Sequence, residues 1–279
     1  MTSPILVTGG TGTLGRHVVR RLRDAGRDIR VLSRGSSGVE EGIPFMAGDL
    51  STGEGIGPAV EGVGTIMHLA GGPKGDEDKV RHLVQAALRV GNPHMVYISV
   101  VGADRIPVVS GVDRAMFGYF ASKLAAERIV ADSGLPWTTL RATQFHDLTL
   151  KTVQGMAKMP VIPVPAGFQF QPIEADEVAT RLVELALGEP AGRVPDLGGP
   201  RAYEMAELVR GYLKASQRRR LLMPIWLPGN AARAFRAGAN LAPERAVGRR
   251  TWEEFLAERV GGEATGATGY VAPSQSVLQ

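Results

Sequence analysis

Cysteine is absent from all 279 residues. That excludes a disulfide framework, a thiol nucleophile and a cysteine metal site. No H-E-x-x-H pair and no carboxylate cluster takes its place, so no metal is expected. No apolar run reaches the length of a membrane span, and the first residues lack a basic-then-apolar leader. Gly10 and Gly12 cut off the one early apolar stretch. These absences predict a cytoplasmic protein without membrane contact. Aromatic residues are sparse, at 6%. They do not interleave with the cations, as a nucleic-acid surface would require.

What remains is ordinary globular composition, 44% hydrophobic and 22% charged. The length suits one large α/β domain with an appended lobe. The net charge of +4 is uneven: residues 201–250 hold eleven Lys/Arg against three Glu, a local +8. The remainder is therefore −4. Such a segment attracts phosphates or acidic partners, but here it reads as a solvated helical surface.

The apolar run Ile5-Leu6-Val7 breaks into Thr8-Gly9-Gly10-Thr11-Gly12-Thr13-Leu14-Gly15. A strand, a glycine turn and a helix in that order form a dinucleotide-binding device. Gly10 is read as the tight turn, Gly12 as the point where backbone approaches a pyrophosphate, and Gly15 as the contact between helix and strand. The helix N-terminus would face the phosphates with the positive end of its dipole.

Short apolar runs then alternate with helical patterns. Strands are predicted at Ile5–Val7, Ile29–Ser33, Pro44–Ala47, Thr65–Leu69, His94–Ser99 and Trp137–Arg141. Helices are predicted at Arg16–Ala25, Gly57–Glu61, Asp78–Val90 and Met116–Ala131. This is a doubly wound, parallel-sheet α/β Rossmann fold, with its crevice at the C-terminal strand ends. Residues 1–145 form the binding domain, joined by a further strand near 193–198. Residues 146–260 form a small, mainly helical substrate lobe, in which 146–172 look loop-like and Pro224–Pro228 interrupts the helical pattern. Helices are expected there at Asp176–Leu187, Met205–Lys214, Ala231–Ala237 and Thr251–Arg259. Residues 261–279 read as a disordered tail.

Four motifs in order carry a resemblance: the T-G-G-T-G-x-L-G turn, Gly48-Asp49-Leu50, His68-Leu69-Ala70-Gly71, and Tyr119-x-x-x-Lys123. Over roughly residues 5–200 the chain resembles the short-chain dehydrogenase/reductase superfamily, in its atypical NmrA-like, NAD(P)H-binding branch. Tyr119 and Lys123 are four apart on one helix and share a face. A free phenol, with a pKa near ~10, is a poor base at neutral pH. A nearby ammonium brings it closer to the working range. The resemblance implies Tyr119 as acid/base and Lys123 as its tuner and an anchor for the nicotinamide ribose. It implies a third catalytic hydroxyl near the end of the fifth strand. Ser99 is the one hydroxyl there, whereas many relatives place it where this chain has Val100 and Val101. Ser99 is therefore a candidate for either catalysis or cofactor contact.

At the end of the second strand, Ser33-Arg34-Gly35-Ser36-Ser37 offers no carboxylate for ribose hydroxyls. Arg34 and Ser36 suit a 2′-phosphate, and Arg16 adds charge. The expected cofactor is NADP(H) rather than NAD(H). The cofactor residues are then Gly9, Gly10, Thr11, Gly12, Thr13, Leu14, Gly15, Arg34, Ser36, Asp49, Leu50, Leu69, Ala70, Gly71, Ser99, Tyr119, Lys123, Thr143 and Phe145. Gln144 and His146 are the substrate-side candidates, although a lone histidine is more often a satisfied loop residue. Met156, Met159, Phe168, Phe170 and Trp226 line either an apolar pocket or plain lobe core. The expected function is an NADPH-dependent reductase acting on a small apolar ketone, enone or quinone. Two alternatives stay open: a non-catalytic NADP(H)-binding redox sensor, and a nucleotide-sugar epimerase or dehydratase. A small-molecule substrate is expected. A homodimer is left open.

Overall fold

β-Branched and aliphatic residues fill the first strand: Ile5 and Val7 bury themselves on one side, Leu6 on the other. A strand buried on both faces belongs in the middle of a parallel sheet. The computed structural model describes residues 3–35, 42–72 and 75–260. The first half runs β1 (Ile5–Thr8), α1 (Thr13–Asp24), β2 (Ile29–Ser33), β3 (Phe45–Ala47), α2 (Ile56–Val60), β4 (Thr65–His68), α3 (Asp76–Val90), β5 (His94–Val100), α4 (Gly111–Ala131) and β6 (Trp137–Ala142). There follow α5 (His146–Met156), β7 (Val161–Pro165), β8 (Gln169–Phe170), α6 (Ala175–Leu187) and β9 (Gly192–Arg193). The last elements are β10 (Tyr203–Glu204), α7 (Met205–Ala215), β11 (Leu221–Ile225), α8 (Asn230–Arg236) and α9 (Trp252–Arg259).

The sheet order is β3-β2-β1-β4-β5-β6-β9, with every pair parallel. The winding reverses between β1 and β4, which opens a crevice at their carboxyl ends. This is the doubly wound architecture read from the sequence. One face packs against α1 and α6, through Val18, Val19 and Leu22 opposite Val178, Leu182 and Val183. The other packs against α2, α3 and α4.

Several expectations need correction. Residues 146–156 are helical, because His146, Thr149 and Val153 recur on one buried face. Residues 161–165 are not loop: β7 pairs in parallel with β11, from Leu221 opposite Val161 to Ile225 opposite Pro165, and the helical pattern is interrupted over 224–228 as expected. Helix α4 starts at Gly111, five residues before the expected start. There Ser110 and Asp113 form a reciprocal cap, with Asp113 N donating to Ser110 Oγ at 3.0 Å. Helix α6 lies on the sheet beside α1, away from the lobe core. That core is built from β7, α5, α7 and α9 around Trp252 and Phe255. The strand expected at 193–198 is the short β9, with a further bridge from Leu197 to Ala142. The tail from 261, with Ser36, lies outside the described residues.

Candidate functional site

The glycine turn joins β1 to α1 at the point where the strand order reverses. Gly9 takes the left-handed conformation, at φ +72°. A Cβ at Gly9 would also lie 2.8 Å from the backbone of Ala70, so the first and fourth strand ends meet there. Gly10 is needed for packing: its Cβ would press on Val31 and Val19. A Cβ at Gly15 would lie 2.0 Å from Gly9 O, which fixes the close contact of helix and strand. At Gly12 the only neighbour among the described residues would be Gly9 O at 3.3 Å. Helix α1 has no side-chain cap and no acid in its first turn. Thr11, Thr13 and Leu14 complete this turn, with Leu14 buried. The cradle thus presents uncapped amides and open space at Gly12, which fits a pyrophosphate.

Arg34 is exposed at the end of β2, and no carboxylate accompanies it among Ser33–Gly35. It lies near enough to Asp49 to act on that carboxyl. The Ser51 amide, 2.8 Å from Asp49 Oδ1, holds Asp49 below the usual carboxylate range, with Arg34 a smaller influence. Leu50 is buried and its carbonyl meets His82 Nδ1 at 2.8 Å. Leu69, Ala70 and Gly71 continue from β4, with Leu69 N donating to Thr8 O at 3.1 Å. A Cβ at Gly71 would meet Lys123 Nζ at 3.0 Å. The glycine turn, the β4 end and the Lys123 ammonium therefore share one edge of the crevice.

Helix α4 carries Tyr119 and Lys123 over β5. Tyr119 is half-buried, and its ring centroid is 5.9 Å from Lys123 Nζ. Burial raises the phenol's pKa, and the negative charge of Asp76 raises it further. Lys123 is buried, at 3% exposure. Its ammonium lies 2.9 Å from Asp76 Oδ2 and donates to Ile98 O at 3.1 Å and Tyr97 Oη at 3.3 Å. Burial lowers the ammonium's pKa, and Asp76 opposes that. Asp76 was not among the residues singled out from the sequence. Its signal was an acid just after Gly75 in the first turn of a helix, which reads locally as no more than a favourable N-terminal charge.

Ser99 sits at the end of β5, in register with Arg141 of β6. Its hydroxyl is buried without a partner among the described residues. Val100 and Val101 are buried beside it. After β6, the Thr143 hydroxyl accepts from Gly199 N at 3.2 Å, tying two loops together. Gln144 Oε1 is buried and unpartnered among the described residues. Phe145 packs against the sheet core. His146 is fully buried and does not face the crevice. Its Nε2 meets Arg250 O at 3.0 Å, and its ring stacks on Phe255 and Trp252 at 4.9 and 5.9 Å. The substrate assignment of His146 is corrected: α5 begins at this residue and turns it into the lobe core.

The apolar residues divide. Phe168 and Phe170 join Phe117, Phe120 and Phe235 beside Tyr119. Met156 belongs to the lobe core. Met159 and Trp226 are exposed, with the Arg236 guanidinium 3.9 Å from the Trp226 ring centroid. No group of metal-ligating side chains and no helix long and apolar enough to cross a membrane occurs among the described residues.

A Rossmann sheet with an uncapped glycine turn at its switch point defines a dinucleotide-binding protein. The chain belongs to the NAD(P)H-binding family, which matches residues 9–186. Its ordered motifs resemble the atypical short-chain dehydrogenase/reductase group. It is 27% identical over 208 residues to a (4-alkanoyl-5-oxo-2,5-dihydrofuran-3-yl)methyl phosphate reductase of Streptomyces griseus, covering 73% of this chain and 70% of that one. It is 24% identical over 223 residues to the photosystem II assembly factor Ycf39 of Trieres chinensis, covering 74% and 66%. Its fold matches an NADPH-dependent quinone oxidoreductase of Escherichia coli, complexed with NADPH, at a TM-score of 0.76 and 19% identity, covering 91% and 99%.

Proposed function

We propose that this protein is an NADPH-dependent reductase of a small apolar ketone, enone or quinone. The observation that carries the reading is Tyr119 beside the Lys123 ammonium, over the carboxyl end of β5 and next to Gly71. The reductase among its relatives supports it. Bound NADPH would supply the hydride.

In this reading the Gly9–Gly15 turn holds the pyrophosphate, and Arg34 the 2′-phosphate. Asp49 and Leu50 border the adenine, and Leu69, Ala70 and Gly71 leave room for its ribose. Thr143 and Phe145 shape the nicotinamide end, and Gln144 borders the substrate. Ser99 offers an unpaired hydroxyl for the carbonyl or the cofactor. Tyr119 gives its proton to the substrate oxygen. The Lys123 ammonium is already paired with the Asp76 carboxylate and donates to Ile98 O and Tyr97 Oη. To reach a ribose it gives up Ile98 O or Tyr97 Oη.

The test is NADPH consumption across quinones, enones and aldehydes, with Tyr119→Phe as control. General acid help is worth about 10²–10⁴-fold, so turnover should fall by that much while cofactor affinity stays. Wild-type turnover in Tyr119→Phe would overturn the acid role and point to direct hydride transfer with the proton taken from water, whereas no turnover of any substrate by the wild type would leave the non-catalytic NADP(H) binder as the better account.

A further inference from the structure

Asp76 lies at the first turn of α3, with no exposed surface. Its Oδ1 accepts from Gly72 N at 2.8 Å, and Lys79 Nζ stands 3.4 Å away. Its Oδ2 faces Lys123 Nζ at 2.9 Å beneath the Gly71 backbone. A buried carboxylate here is a choice with consequences. An ammonium beside a tyrosine stabilises phenolate, but a carboxylate on that ammonium cancels the effect and stabilises the ammonium as well.

We propose that Asp76 is a positioning residue that keeps both Lys123 and Tyr119 protonated, so that the site is set to donate a proton rather than to take one. In reduction the phenol gives that proton to the substrate oxygen. The proposal rests on Tyr119 being the proton donor.

The other charged and titratable groups around the pair do not replace Asp76. Glu77 is engaged by the Ser122 hydroxyl, and Glu127 by Arg141. Lys79 is a cation and shares Asp76. On the β4 and β5 side stand His68 and Tyr97. Burial keeps His68 neutral and Tyr97 protonated. Asp76 is thus the carboxylate in direct contact with the Lys123 ammonium. Its charge also raises the pKa of Tyr119.

The experiment is an NMR pH titration of ζ-carbon-labelled tyrosine and ζ-nitrogen-labelled lysine in the full chain without cofactor. Tyr119→Phe identifies the Tyr119 signal among the five tyrosines. In Asp76→Asn the Lys123–Tyr119 pair should lose its first proton about 1–3 pH units lower than in wild type. An unchanged curve would overturn the proposal. If Asp76→Asn does not fold, a second comparison serves, because it removes both members of the buried pair. Tyr119 should titrate lower in Asp76→Asn/Lys123→Met than in Lys123→Met alone. Equal midpoints in those two variants would overturn the proposal equally. None of these readings involves turnover. Failure here is therefore distinct from failure of the reductase reading, which the Tyr119→Phe rate decides.

Discussion

Arg141 grips Glu127 with two parallel hydrogen bonds, Nε to Oε1 at 2.8 Å and Nη2 to Oε2 at 2.6 Å. Both side chains are largely buried, at 3% and 11% exposure. Glu127 lies one turn beyond Lys123 on α4, so the fork locks the helix that carries Tyr119 to strand β6. Arg141→Leu leaves Glu127 buried without its cation and should cost about 3–5 kcal/mol. Glu127→Gln should cost less, since Asp104 Oδ1 remains 2.6 Å from Arg141 Nη1. Chemical denaturation of the two variants reads the difference. A loss under about 1 kcal/mol for Arg141→Leu would class the pair with surface ion pairs.

The two helix-side glycines should separate binding from folding. Gly12→Val places its side chain where a pyrophosphate would sit, with only Gly9 O near its Cβ among the described residues. It should abolish NADPH binding while keeping the wild-type unfolding transition. Gly15→Ala drives a methyl into Gly9 O and Gly10 Cα. It should destabilise the fold by about 1–3 kcal/mol. Calorimetric titration and thermal unfolding of both variants make the check. Retained affinity in folded Gly12→Val would reduce the turn to a purely structural role.

Arg34 should set cofactor choice. With no carboxylate among Ser33–Gly35 to receive ribose hydroxyls, NADPH should bind more tightly than NADH. Arg34→Ala should narrow the gap by about 1.5–3 kcal/mol, the worth of a charge-assisted hydrogen bond. Titration with both cofactors decides it. Equal wild-type affinities would remove the assignment.

His68 should make the fold acid-sensitive. Its Nδ1 meets Thr8 Oγ1 at 2.7 Å, its ring stacks on Tyr97, and burial pushes its pKa down to about 3, with Lys123 adding to the shift. The unfolded chain takes this proton near pH ~6.5 and the folded chain does not. The stability is therefore full above ~6.5 and drains as pH falls towards 3, by up to about 1.4 kcal/mol per pH unit. His68→Asn should show a shallower loss across that window in urea melts. Parallel slopes would mean that other groups carry the acid response.

The sheet and its glycine turn were legible because they are local: apolar runs of strand length, each closed by small residues. Tyr119 and Lys123 were legible because a four-residue spacing on a helix fixes a shared face. Asp76 was not, because its partner stands 47 positions further along and nothing in its own helix marks it as buried. His146 was misread for the same reason. What covers it, Arg250, Trp252 and Phe255, arrives about a hundred residues later. The need for glycine at position 9 was not legible either, because Ala70 approaches it from another strand.

Asp176 of α6 collects His17, Arg20 and Arg21 of α1, with His17 Nδ1 at 3.0 Å. Arg21 and Asp176 are 155 positions apart. A ribosome adding about 5–20 residues per second would leave about 10–30 s between them. Through that interval the apolar stripe of α1 has no α6 to cover it. The glycine turn is therefore synthesised first and finished late. Its exposed helix is the stretch that a holdase chaperone would meet while the rest of the chain is still being made.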